Sequence, residues 1–96
     1  MTKGIYQIKC NVNNRQYIGL AKDIEKRWKQ HEKALNSQTH ENSKLQADWN
    51  HFGADKFEFS IIQRWKRGQK LEDLEDIWIS QLEPYYNIRL GKRCKK

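Results

Sequence analysis

The side chains that could do chemistry in this chain are a glutamate, an arginine and a histidine one helical turn apart, and two tyrosines. The glutamate is Glu75, in a segment whose apolar residues recur at helical spacing: Leu71, Leu74, Trp78 and Leu82. At about 100° per residue, Glu75 falls inside their arc, where an unpaired carboxylate costs several kcal/mol. Either a structural ion pair, for example with Arg27, or a functional role such as metal binding explains this position.

An arginine and a histidine interrupt the apolar stripe of the first predicted helix. That stripe consists of Ile24, Trp28, His31 and Leu35. Arg27 lies at its edge, four residues before His31 and therefore beside it. Taken singly, His31 suits a hydrogen-bonded core position, and Arg27 suits an arginine whose stem covers apolar surface. In the same way, Tyr6 and Tyr17 suit cross-strand packing, and Gly19 suits a turn.

Together these residues suit phosphodiester hydrolysis better than any one of them alone. A carboxylate can hold Mg²⁺, which prefers oxygen ligands and takes few of them from protein. An arginine can stabilise the charge that develops on the phosphate. A phenol can position water or take its proton, provided that nearby cations lower the phenol pKa from about 10. The sequence has no Ser-His-Asp set or Gly-rich phosphate loop, and His40 and His51 lack the spacing of a zinc site.

A β-hairpin is predicted to carry the two tyrosines. Residues 4–10 and 16–20 are short and rich in Ile and Tyr, and the segment between them favours a turn. A two-residue turn at Asn13 and Asn14 places Cys10 opposite Tyr17, whereas a three-residue loop breaks that register. With the two-residue turn, four residues share one face of the hairpin: Tyr6, Ile8, Cys10 and Tyr17.

Three helices and a third strand complete the predicted fold, an α+β domain in the order β-β-α-α-β-α with a three-stranded antiparallel sheet. The first helix covers residues 23–36 with Asp23 as its N-cap. The second begins at a capping box formed by Ser43 and Gln46 and ends at Gly53. The remaining elements are a strand over 56–65, a turn over 66–68, a helix over 70–82 ended by Pro84, and an extended piece over 85–90.

Length, composition and cysteine usage limit the class of protein. The 96 residues suit one domain, and 11% aromatic residues indicate a packed core although 32% of the residues are charged. No segment approaches the roughly 18 apolar residues of a membrane span, and the N-terminus lacks a secretory signal. Cys10 and Cys94 form neither a disulfide framework nor a zinc motif. We therefore expect a cytoplasmic protein without a membrane partner.

The formal net charge of +7 favours a polyanionic partner, and its distribution is uneven. Residues 1–70 carry +7, residues 71–88 carry −5, and residues 89–96 carry +5. We interpret residues 1–88 as the domain and residues 89–96 as a basic C-terminal tail. The domain alone is only slightly basic, so its net charge by itself is weak evidence for a nuclease.

The motifs as a set resemble the GIY-YIG nuclease family. Gly4-Ile5-Tyr6 is followed by Tyr17-Ile18-Gly19, and then by Ala21-Lys22-Asp23-Ile24 with Arg27 and His31 after it. Glu75 precedes Trp78-Ile79, and Tyr86-Asn87 is similar to the C-terminal motif of the family. The resemblance covers roughly residues 4–88. Within the family, the chain is most similar to the catalytic domains of phage intron-encoded homing endonucleases.

The resemblance implies a role for each matching residue. Tyr6 would be the general base or position the attacking water, Tyr17 would orient water or phosphate, and Arg27 would contact the scissile phosphate. Glu75 would coordinate one divalent cation, Mg²⁺, for which Mn²⁺ is expected to substitute. His31 would be a catalytic residue that supports the phosphate or the proton relay, and His40 would assist it. Gly19 and Asn87 would support the site, Asn87 by ordering it through hydrogen bonds. The products would carry 5′-phosphate and 3′-hydroxyl ends.

The leading hypothesis is thus a metal-dependent DNA endonuclease that acts as a monomer or a transient dimer on DNA. Many relatives add a separate DNA-binding domain, which this chain does not show. The alternatives are a non-catalytic nucleic-acid-binding module with the same fold and a structural interaction domain. A pure binding module has no need of a carboxylate on the buried side of a helix, so Glu75 argues against it.

Overall fold

The computed structural model describes the backbone of residues 2–90 and the side chains of residues 2–87. Three antiparallel strands form one sheet: β1 (Gly4–Cys10), β2 (Gln16–Ala21) and β3 (Phe57–Arg64). Their order across the sheet is β2-β1-β3, so β1 pairs on both sides. This architecture confirms the predicted α+β class and the predicted order of elements.

Three α-helices flank the sheet: α1 (Ile24–Asn36), α2 (Ser43–Phe52) and α3 (Leu71–Leu82). Short 3₁₀ segments cover Ala54–Lys56 and Tyr85–Leu90. Within residues 2–90, none of the helices is long and apolar enough to cross a membrane.

The hairpin register differs from the predicted one by two residues. Tyr17 lies opposite Ile8 rather than Cys10, and a five-residue loop over residues 11–15 connects the strands. The ladder ends at Cys10, whose N–H donates to the Arg15 carbonyl and whose carbonyl accepts from the Asn14 N–H. Asn14 has a φ of 61°, a left-handed conformation that Asn adopts more readily than most residues. Because side chains alternate with a period of two, the shift leaves Tyr17 on the predicted face.

The two faces of the sheet carry different cores. Residues Tyr6, Ile8 and Cys10 of β1 pack with buried side chains of α1 and α2. Ile5 and Ile18 point to the other face and pack under α3. The helix that carries Arg27 and the helix that carries Glu75 therefore cover opposite faces of one thin sheet.

The ends of the first two helices follow local hydrogen-bonding chemistry. Asp23 caps α1 as predicted, accepting from the Lys26 N–H at 3.2 Å. The predicted capping box at Ser43 is wrong, because Asn42 is the N-cap of α2 and its Oδ1 accepts from the Leu45 N–H at 3.0 Å. Gln46 instead uses its side chain outside the helix, accepting from the His40 N–H at 3.1 Å.

The chain after α3 turns rather than extending. Glu83 adopts a left-handed conformation with φ of 45°, and the helix ends before Pro84 as predicted. Leu82, predicted on the apolar arc, is 37% exposed. Residues 85–90 form 3₁₀ turns and not the predicted extended piece, because the Asn87 N–H bonds to the Pro84 carbonyl at 3.1 Å and closes the turn locally. Residues 91–96, most of the predicted basic tail, lie outside the described residues.

Candidate active site

The phenol of Tyr6 is the centre of the candidate site. Its side chain is only 1% exposed, on the face of β1 that α1 covers. Gly19 lies directly opposite on β2. A Cβ atom on Gly19 would lie 2.5 Å from both the Cζ and the hydroxyl oxygen of Tyr6. Gly19 is therefore a mid-strand residue that makes room for the phenol, and its interpretation as a turn residue is wrong.

Two histidines continue from the phenol in a hydrogen-bonded chain. The Tyr6 hydroxyl oxygen lies 2.6 Å from His31 Nε2, and His31 Nδ1 lies 2.7 Å from His40 Nε2. Tyr17 packs beside this chain, with its ring centroid 6.3 Å from that of Tyr6 and 5.4 Å from that of His31. Residues from two strands, from α1 and from the loop after it thus meet at one point.

Arg27 lies at the open side of this chain. It is exposed, and its Nη1 donates to Gln30 Oε1 at 3.3 Å. A surface cavity of about 220 Å³ lies between α1 and the following loop, and it is lined by Arg27, Gln30, His31, Ala34, Thr39, His40 and Glu41. The cavity gives a ligand access to the arginine and to both histidines of the chain.

The environment of Tyr6 keeps its phenol protonated. Burial raises the pKa of Tyr6 well above its ordinary value of 10, and the neighbouring Tyr17 raises it further. Arg27 opposes this shift through hydrogen bonding and through its charge, while the charge of Glu75 adds to it. The expected net lowering of the pKa by nearby cations is therefore absent from this state of the protein, and Tyr6 is a neutral hydrogen-bonding group at neutral pH.

His31 is also neutral at physiological pH. Burial lowers its pKa from 6.5 to about 4, and the nearby His40 and Arg27 contribute in the same direction. A neutral imidazole donates through one ring nitrogen and accepts through the other. His31 can therefore pass a hydrogen bond from His40 to Tyr6.

Glu75 lies on α3 and is half-buried, in agreement with the helical pattern, and its charge is the smallest of the causes that raise the pKa of Tyr6. Among residues 2–90, no group of three or more His, Cys, Asp or Glu side chains could enclose a metal ion. The single carboxylate of Glu75 suits a cation that keeps most of its water ligands and takes one carboxylate from the protein, which is the usual behaviour of Mg²⁺. The assignment of Glu75 as a metal ligand remains a prediction.

Asn87 holds the outer edge of β2. Its Oδ1 accepts from the Ile18 N–H at 2.8 Å, and its Nδ2 donates to the Ile18 carbonyl at 2.9 Å. The side chain thereby replaces a neighbouring strand at an edge that would otherwise face solvent. Since Ile18 lies between Tyr17 and Gly19, this pair of bonds fixes the strand that flanks the phenol.

The sequence interpretation missed Asn42 and Asp48. Asn42 is buried, and its backbone N–H donates to His40 Nδ1 at 3.0 Å. Asp48 accepts from the Tyr86 hydroxyl at 2.7 Å and from Arg15 at 3.2 Å, so α2 is tied to the hairpin loop and to the segment after α3. The preference of helix N-caps for Asn could have identified Asn42. Asp48 has no local signal, because its partners are distant in sequence.

Comparisons with known proteins find a family model and relatives that cover nearly the whole chain. The model of the GIY-YIG catalytic domain matches residues 2–87. "Intron-associated endonuclease 1" of Enterobacteria phage T4 is 43% identical over 88 residues, which are 91% of this chain and 36% of that protein. "Probable intron-encoded endonuclease 1" of Neurospora crassa is 35% identical over 94 residues, with 90% of this chain and 30% of that protein covered. The chain thus spans about a third of the length of these relatives.

Solved structures show the same fold. The catalytic domain of the homing endonuclease I-TevI superposes with a TM-score of 0.76 at 42% identity, covering 84% of this chain and 88% of that one. A glutamate-to-alanine variant of the same domain gives a TM-score of 0.74, with 86% of each chain covered. The chain belongs to the GIY-YIG family of nuclease catalytic domains, which confirms the family that its motifs resemble.

Proposed function

We propose that this domain hydrolyses phosphodiester bonds of DNA with the help of one divalent cation. The observation that carries the proposal is the hydrogen-bonded chain from the Tyr6 phenol through His31 to His40, with the exposed Arg27 lining the same cavity as both histidines. The relatives reported above are named as an intron-associated endonuclease and a homing endonuclease, and an endonuclease cuts nucleic acid.

The position of each residue suggests its role in the hydrolysis of the phosphodiester bond. Water attacks phosphorus as the bond to the 3′ oxygen breaks, and the leaving oxygen takes up a proton, so that 5′-phosphate and 3′-hydroxyl ends result. Tyr6 and Tyr17 would orient the water, and Tyr6 would release its own proton to solvent and then accept the proton of the attacking water. Arg27, at the solvent side, would stabilise the negative charge on the phosphate oxygens.

Glu75 would hold the cation, Mg²⁺ or in its place Mn²⁺. When bound, the cation supplies positive charge that polarises the phosphate and lowers the pKa of nearby acids. Tyr6, whose pKa is raised by burial, would be one of the acids that this charge affects. One such site per chain would cut one strand at a time, as a monomer or as a transient dimer on DNA.

The test is incubation of supercoiled plasmid with the protein in Mg²⁺, in Mn²⁺ or in excess EDTA. We expect relaxed or linear DNA with either metal and intact plasmid with EDTA. Glu75→Ala should lose cleavage, while Glu72→Ala, an exposed acid on the same helix, should cleave like the parent. Equal cleavage by Glu75→Ala and the parent would refute the metal-ligand assignment.

A second measurement separates catalysis from binding. DNA affinity is followed in EDTA by fluorescence anisotropy of a labelled duplex. Binding without cleavage under every metal condition would instead support the non-catalytic binding module.

A further inference from the structure

The direction of the hydrogen bonds in the histidine chain follows from a single backbone amide. The Asn42 N–H, which can only donate, lies 3.0 Å from His40 Nδ1. His40 Nδ1 is therefore an acceptor without a proton, and the ring hydrogen of His40 resides on Nε2.

The same reasoning applies to the next two hydrogen bonds, from His40 to His31 and from His31 to the Tyr6 phenol. His40 Nε2–H lies 2.7 Å from His31 Nδ1, so His31 Nδ1 accepts. The hydrogen of the neutral His31 ring is then on Nε2, 2.6 Å from the Tyr6 oxygen. The Tyr6 oxygen accepts this bond, and its own proton is left for another partner.

We propose that Asn42 is a positioning residue for the candidate site, because its backbone N–H holds His40 and His31 in the Nε2–H tautomers that aim a hydrogen bond at Tyr6. The proposal deepens the proposed function, in which Tyr6 handles the proton of the attacking water. A donor already aimed at the oxygen favours the phenolate over the phenol. The opposite direction would point a hydrogen on His40 Nδ1 at the Asn42 N–H.

The position of that amide is itself held at several points. Asn42 is 8% exposed, its Oδ1 caps α2 by accepting from the Leu45 N–H, and its Nδ2 donates to the Tyr86 carbonyl at 2.5 Å. Gln46 holds the neighbouring backbone through the His40 N–H, and its Nε2 donates to the Leu35 carbonyl at 2.9 Å. A variant without the Asn42 side chain would therefore keep the backbone N–H of residue 42, but that N–H would no longer be held in a fixed orientation toward His40.

The experiment is ¹⁵N NMR of the histidine rings at neutral pH, without DNA and without metal. Protonated and unprotonated ring nitrogens differ in ¹⁵N shift, and long-range couplings to the ring protons identify each one. In the parent protein we expect His31 and His40 in the Nε2–H form, with exposed His51 as an internal reference for tautomer exchange. An Nδ1–H form of either His31 or His40 would overturn the proposal.

Variants test whether Asn42 sets the tautomers. Asn42→Ala should give mixed tautomers at His40, whereas Asn42→Ser, which keeps a side-chain oxygen at the N-cap, should restore the Nε2–H form. Asp23→Ala removes the cap of α1 instead and should leave the tautomers of His40 unchanged. If the tautomers of His40 are unchanged in Asn42→Ala, the proposed positioning role of Asn42 is refuted.

Turnover gives a second readout of the same variants. In plasmid cleavage, Asn42→Ala should lower kcat about tenfold at little change in KM, and Asn42→Ser should recover most of that loss. Because the NMR measurement contains no DNA, the expected tautomers without any cleavage by the parent would refute the proposed function alone. Normal cleavage with the opposite tautomers would refute the role of Asn42 alone.

Discussion

Replacement of Gly19 by alanine is the sharpest perturbation of the candidate site, because one methyl group must displace the phenol. The added Cβ would lie 2.5 Å from the Tyr6 hydroxyl oxygen and Cζ, and 2.9 Å from Cε2. Ordinary contacts of this kind begin near 3.4 Å. The ring must therefore move by about 1 Å, or β2 must move away from it.

Two consequences follow from a shift of that size. Overpacking of a well-filled core costs about 1–3 kcal/mol, and loss of the bond between Tyr6 and His31 adds about 1 kcal/mol. A misplacement of about 1 Å of a catalytic group can lower turnover about 100-fold. We therefore expect Gly19→Ala to fold with a Tm lower by roughly 10 °C or more and to cleave plasmid about 100-fold more slowly.

Gly68→Ala is the matched control. Its Cβ would meet no atom within 4 Å, but its φ of 92° makes alanine strained by about 1 kcal/mol. This variant should lose stability and keep the activity of the parent at temperatures where both are folded. Cleavage by Gly19→Ala within twofold of the parent, measured at a temperature where it is fully folded, would refute the argument that Gly19 fixes the phenol.

Three further predictions concern the charge, the protonation and the edge of the site. Arg27→Ala should lower kcat at least 100-fold while DNA affinity in EDTA changes less than tenfold, because the arginine acts on charge that develops in the transition state; a change in KM alone would contradict this. The pKa of His31 is about 4 in the folded protein and about 6.5 in the unfolded chain, so the unfolded state binds more protons as the pH falls between these values. His31 therefore contributes to stability at pH 7, and this contribution is lost toward pH 4. Between pH 7 and pH 4.5, the free energy of unfolding measured in urea should fall by about 2.5 kcal/mol more in the parent than in His31→Gln. Asn87→Ala leaves the Ile18 backbone unpaired and should cost about 1–3 kcal/mol in the free energy of unfolding, whereas an effect below 0.5 kcal/mol in denaturant titrations would show that water replaces the side chain.

The predicted elements succeeded where one periodicity dominated. In the predicted stripe of α1, Ile24, His31 and Leu35 are buried and Trp28 is partly buried. The alternation in the hairpin placed Tyr6 and Tyr17 on one face although the register was wrong. A slip of two residues leaves the side-chain faces unchanged, so patterns of alternation cannot detect it.

The predictions failed where local chemistry had competing solutions. Asn42 and Ser43 are both good N-caps, and only the buried bond from Asn42 to the Tyr86 carbonyl shows why Asn42 is used. Residues 85–90 have the Tyr and Ile content of a strand but form turns. The edge of β2 that such a strand could have paired with is closed by the side chain of Asn87.

Sequence alone determined the family and the residue types available for chemistry, because both depend on ordered motifs and on side chains that can be read directly. It also determined that Glu75 and His31 would lie on apolar faces, since helical spacing is a local property. Tertiary structure decided that His31 reaches Tyr6 across 25 residues and that Asn87 holds Ile18 across 69. The direction of the hydrogen bonds toward Tyr6 also depends on contacts between separate elements, which no local pattern specifies.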